Sequence, residues 1–157
     1  PAPAGATAPR RRTIGVGIAA MVAVAAAALV GVMGLRAGDD GPYGKQLGRS
    51  VEAAMADPAA RRVDLVSTDG ARTARAVVLP DGTGYMVETN LPTLSKERTY
   101  QLWAVVGSSK ISVGVLGSDP KVVPFKMDGP VSALAITEEV AGGVVSSVAA
   151  PVVLGFV

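Results

Sequence analysis

The sequence predicts an all-β fold, an antiparallel β-sandwich, preceded by a single transmembrane helix. Three observations carry that prediction. An apolar run without a charged side chain fills Thr13 to Leu35. Beyond residue 61, short apolar runs alternate with turn residues at fairly regular spacing. The chain holds 19 glycines and 11 prolines against one tryptophan, three tyrosines and two phenylalanines, a balance that suits short strands joined by tight turns.

Residues 1–12 open on a Pro/Ala-rich linker without core-forming side chains, and we assign them to the cytoplasm. Residues 13–35 at about 1.5 Å each reach roughly 34 Å, enough to cross a 30 Å hydrocarbon layer with some tilt. Backbone groups in lipid must pair internally, so a span there must be helical. Arg10, Arg11 and Arg12 precede the run; Arg36, Asp39 and Asp40 follow it. The positive-inside rule then puts Pro1 in the cytoplasm and the C-terminal domain outside. A cleavable signal peptide is the competing reading. The run is longer than a usual signal core, and Leu35-Arg36-Ala37 is a poor small-residue cleavage site, so a retained helix in the cell membrane is expected. The sequence opens on Pro1 rather than Met, and we expect a further N-terminal portion before it.

Residues 36–61 read as a juxtamembrane stalk. Gly38 to Gly44 breaks the apolar helix. Tyr43, Leu47, Val51 and Met55 then recur at i, i+4, i+8 and i+12 and predict one apolar face of a short helix ending at Asp57-Pro58. That face either packs on the domain, lies at the lipid surface, or belongs to an exposed, poorly packed stalk open to proteases.

Residues 62–157 read as the extracytoplasmic β-sandwich. Val63–Val66 is the first run. Ala74–Leu79 and Gly84–Thr89 flank the turn Pro80-Asp81-Gly82 as a hairpin. Thr99–Val106 is apolar at both alternating sets, which predicts a central strand covered on two faces. Lys110–Leu116 follows the turn Gly107-Ser108-Ser109. Val122–Met127 carries Pro124, which demotes it to an edge. Val131–Glu138 would point Leu134 and Ile136 inward. Val144–Val148 is ambiguous, and Pro151–Val157 is a last strand.

Little in the sequence points to chemistry. With no cysteine and no histidine, disulfides, thiolate metal sites and Cys or His catalysis are excluded. The net charge of +2 reflects the local arginine cluster, and no basic stripe interleaved with aromatics is present for nucleic acid. Ser108, Ser109 and Lys110 sit close in sequence, but their residue types suit a solvated turn better than a Ser-Lys dyad. Glu138 and Glu139 are neighbours on one strand and must face opposite sides. Asp39 and Asp40 offer too few oxygens for a hard cation. Gly82-Thr83-Gly84 and Ala141-Gly142-Gly143 lack the strand–loop–helix context of a phosphate site. Trp103 is either a ligand platform or a core residue, and its place in an apolar strand favours core. No catalytic, cofactor-binding or metal-binding residue is assigned, and no enzyme activity or cofactor is expected.

The order of these segments carries a resemblance. Leu91-Pro92 precedes Thr99-Tyr100-Gln101-Leu102-Trp103, then Ser112-Val113-Gly114-Val115-Leu116-Gly117. Ala135-Ile136-Thr137-Glu138-Glu139 runs into Ala141-Gly142-Gly143, and Pro151-Val152-Val153-Leu154-Gly155 follows. From about Ala60 to Val157 this resembles the C-terminal extracytoplasmic domain of the anti-sigma-K factor family of high-GC Gram-positive bacteria. The resemblance implies a membrane-anchored regulator of transcription. A sigma factor would be its partner, held through an N-terminal domain before Pro1, and membrane proteases would release it by cutting the stalk and then the membrane helix. Membrane lipid is the other expected partner. The alternative is an accessory or structural subunit whose β domain docks on a larger membrane protein complex.

Overall fold

The computed structural model describes residues 41–157. The expected transmembrane helix at 13–35 and the linker at 1–12 lie outside the described residues. Among the described residues, no helix is long and apolar enough to cross a membrane.

The first element is α1, Pro42–Ala56. Proline in the first turn presets the helical φ where no N–H partner is needed. Pro58 disfavours helical backbone at Asp57, which closes the helix instead with an extended conformation. The buried face is not the expected one. Ala54 is 2% exposed, with Leu47 and Val51 half-buried beside it, while Tyr43 and Met55 are exposed. At 3.6 residues per turn, each step of four residues advances about 40° past a full turn, so Tyr43 to Met55 fan over roughly 120°. Only the middle of that series can share a face, and Ala54 completes it. The helix packs against strand β2.

Eight strands follow: β1 Arg61–Val66, β2 Thr73–Val78, β3 Thr83–Thr89, β4 Arg98–Val106, β5 Ser109–Gly117, β6 Val123–Lys126, β7 Ala133–Val140 and β8 Val153–Phe156. All pairings are antiparallel. They form a single sheet in the order β5-β4-β7-β8-β1-β2-β3-β6, whose end strands β5 and β6 also touch. The expected sandwich of two sheets is therefore corrected to one sheet rolled into a nearly closed barrel. Register shifts between Arg75 and Ala76, and twice along β4, supply the extra twist that rolling requires.

Alternation along the strands sorts side chains into inner and outer sets. Val63, Leu65, Ala76, Met86, Tyr100, Leu102, Leu134, Ile136 and Val153 fill the interior. The hairpin turn forms as its residues dictate: the Asp81 carboxylate accepts from the Thr83 N–H at 2.8 Å, and Gly82 takes a φ of 84°. β6, with Pro124, lies at an edge of the sheet. Val144–Val148 forms no strand.

Two outward regions are nonetheless buried. Val77 on β2 is 1% exposed, on the strand that α1 packs against. On β4 and β7, the outward Trp103, Gln101, Ala135 and Thr137 are also buried. What lies over them is residues 141–152, a strap of non-strand backbone between β7 and β8.

Candidate functional site

The strap is fastened to the outer face at two points. Near its start, the Gln101 side chain acts as a splint. Its Nε2 donates to the Val144 carbonyl at 2.9 Å and to Ser112 Oγ at 2.7 Å, while its Oε1 accepts from the Val144 N–H at 2.8 Å. One amide thus binds both polar groups of a single strap residue and ties β4 to β5. Gly143 makes the approach possible. Its φ is 79°, and a Cβ there would stand 2.8 Å from both Gln101 Oε1 and Val115 Cγ2, too close for either.

The second fastening is a chain of hydrogen bonds. Trp103 Nε1 donates to Thr137 Oγ1 at 2.8 Å. Thr137 donates in turn to Glu139 Oε1 at 2.6 Å. Ser147, on the strap, donates to that same carboxylate oxygen and accepts from the Ala149 N–H at 3.1 Å. Burial works to raise the Glu139 pKa. The hydrogen bonds from Ser147 and Thr137, helped by the charges of Arg98 and Lys110, outweigh it and hold the carboxyl below the usual glutamate range. Lys110 Nζ also lies 6.0 Å from the centre of the Trp103 ring, within cation–π reach.

This arrangement places the singled-out residues that fall within 41–157. Glu138 and Glu139 do face opposite ways: Glu138 accepts from Arg98 Nε at 2.9 Å, and Glu139 lies under the strap. Gly107 and Ser108 turn the β4–β5 hairpin, and Lys110 is directed to Trp103. Trp103 is fully buried, on the outer layer rather than in the barrel interior. Gly82 lies in the β2–β3 turn while Thr83 and Gly84 open β3, and Ala141-Gly142-Gly143 leads into the strap. Asp39 and Asp40 lie outside the described residues. Among the described residues, no group of three His, Cys, Asp or Glu side chains is placed to hold a metal ion. Gln101, Ser112, Ser147 and Thr137 were not picked out by sequence reasoning as a polar set. Their only signal was a glutamine inside an otherwise apolar strand.

The pieces that meet here are the Tyr-Gln-Leu-Trp strand and the Thr-Glu-Glu-x-Ala-Gly-Gly run. Tyr100 and Leu102 point into the barrel, and the Tyr100 hydroxyl donates to the Pro92 carbonyl at 2.8 Å. Gln101 and Trp103 point out to the strap. The two pieces are thus parts of one fastening. The family model for the anti-sigma-K factor RskA C-terminal domain matches residues 18–151, which includes both. The chain belongs to this family. No curated protein and no solved structure matches it. In this anti-sigma-K domain both hydrogen-bonding roles of Ser147 are used in holding the strap.

The strap also presents apolar side chains to solvent. Val145 and Val148, on either side of Ser147, are fully exposed. On the adjoining sheet the outward Phe156 is 78% exposed, with Val66 and Leu154 paired across β1 and β8. Shallow depressions lie on the wider surface of the described residues. One, of ≈ 530 Å³, is bordered by Ser67, Asp69, Arg72 and Pro151. Another, of ≈ 400 Å³, opens at the barrel end between Arg61, Leu79, Met127 and Val131. Neither contains a buried polar group that would fix a ligand.

Proposed function

We propose that this chain is the membrane anchor and outer domain of an anti-sigma factor, with the barrel outside the cytoplasm acting as a sensing or interaction domain. The observation that carries the reading is the family match, which begins within the apolar run and extends through the strap. A matched span of that extent favours an anchor and barrel acting as one unit. In this reading residues 13–35 cross the membrane once with the N-terminus inside, and 36–61 form the stalk. A sigma factor is held on the cytoplasmic side by sequence preceding Pro1. Release follows a cut in the stalk and a second in the membrane helix.

Two experiments test this. The intact mass of the native protein from its own membranes should exceed that of the present sequence by a small N-terminal domain, and a sigma factor should co-purify with it. A mass ending near Pro1 overturns the sigma-binding part. Topology is separately accessible because the chain has no cysteine. A single cysteine at Ser146 should react with a membrane-impermeant maleimide in intact cells, whereas one at Ala4 should not.

A second reading, an accessory subunit docking its barrel on a larger membrane complex, draws support from the outward Phe156 and the strap valines. A stable stoichiometric complex, recovered with an uncut stalk under all conditions, would favour it.

A further inference from the structure

We infer that the docking of α1 on β2 is an autoinhibitory contact that keeps the stalk in a form proteases cannot use, and that undocking alone makes it cleavable. The inference deepens the anti-sigma reading and rests on it for the identity of the native protease; the contact itself can be tested without that protease.

On its own, α1 is a poor helix. It has 15 residues, near the lower limit for helicity in water even for favourable sequences. Gly44 and Gly48 lie within it, each costing about 1 kcal/mol against alanine. Its N-cap, Gly41, makes no side-chain hydrogen bond, its first turn has no acidic residue and its last turn no basic one. What holds it is tertiary contact. Ala54 is buried, Leu47 and Val51 are half-buried, and the Arg62 guanidinium, from β1, donates to the Met55 carbonyl at 2.8 Å. That last bond satisfies a helix-end carbonyl from outside the helix.

Helix and docking therefore stand or fall together, which makes α1 a two-state element. A protease must take its substrate as opened chain. The helix keeps its backbone donors and acceptors engaged, so cutting waits for local opening. When closing is faster than cutting, the rate follows the open population. Any partner of the barrel that displaces α1 would raise that population without touching the scissile bond.

Trypsin is a suitable probe, because Lys45 and Arg49 lie on α1 with exposed side chains. The assay uses the full chain in detergent, with cuts mapped by mass and the single tryptophan, Trp103, reporting on the barrel. Ala54→Glu places a charge in the docking face and should speed cutting at Lys45 and Arg49 about tenfold or more while Trp103 emission stays unchanged. Gly48→Ala, at an exposed position with no atom within 4 Å of the added Cβ, should slow it about fivefold. If Ala54→Glu also shifts Trp103 emission, the slowing in Gly48→Ala decides. Wild-type cutting at the rate of a free peptide of residues 41–57, unchanged by Gly48→Ala, overturns the inference. Protection by trypsin criteria together with a stalk never cut in cells would instead overturn the release step of the proposed function.

Discussion

α1 and the strap both cover outward-facing side chains of the barrel, but they hold on by different means. The strap is bound by directional polar contacts from two strands, Gln101 on β4 and Glu139 on β7, which Ser112 on β5 and Thr137 on β7 hold in place. Beneath it sits the largest buried side chain in the domain, Trp103. α1 rests on an alanine, two half-buried aliphatic side chains and one arginine bond. Removing one partner from a buried network leaves the others unsatisfied, so the strap resists partial opening. A shallow apolar contact leaves nothing stranded when it parts. One cover is built as part of the fold, and the other as a separable element.

Trp103→Ala should have the largest effect on this contrast. It removes the side chain that the strap seals and should cost about 3–5 kcal/mol in urea unfolding followed by circular dichroism. A loss below about 1 kcal/mol would make the strap as dispensable as α1. Next comes Thr137→Val, close in shape but without the hydroxyl. It leaves the Trp103 N–H without an acceptor and Glu139 without one donor, and should cost about 1–3 kcal/mol. Acidification gives a smaller, graded effect. The folded Glu139 carboxyl titrates below its unfolded counterpart, so its contribution is complete above the usual glutamate range and is lost as pH falls through the lowered folded value. Urea midpoints measured from pH 7 down to pH 3 should fall, and Glu139→Gln should flatten part of that fall. Val148→Ser should have the smallest effect, within about 0.5 kcal/mol, because the side chain is fully exposed. If Val148→Ser were costly, the strap would be packing in a way its exposure does not show.

Much of the strand inventory was legible, because each strand left a local signature. Thr99–Val106 read as covered on both faces, and β4 does lie between β5 and β7 under the strap. Pro124 marked an edge because its missing N–H bars it from a central ladder. The strand order was not legible. β8 pairs with both β7 and β1, and nothing in local periodicity reports a partner some 90 residues away in sequence. The ambiguity at Val144–Val148 has a plain cause. A run of valines suggests a strand, but Gly142 and Gly143 take φ values of 90° and 79°, which turn the backbone out of an extended path. Val145 and Val148 are then left facing water. Glu139 could be assigned to the face opposite Glu138, yet its donor Ser147 lies across a glycine turn whose path the sequence does not dictate. The helix face was misread for a geometric reason, the drift of a strict four-residue repeat.

The position of β8 has a consequence for how the molecule is made. Its four residues join β5-β4-β7 on one side to β1-β2-β3-β6 on the other. Gly155 lets that junction close, since a Cβ there would collide with the Asp64 carbonyl on β1. During synthesis the half containing β1, β2 and β3 emerges first and can pair its hairpins locally. The barrel cannot be sealed until residues 153–156 have left the ribosome. Until then both half-sheets keep an open edge at the place where the finished barrel has its middle, so a nascent chain halted before residue 153 is the form most exposed to aggregation and to chaperones.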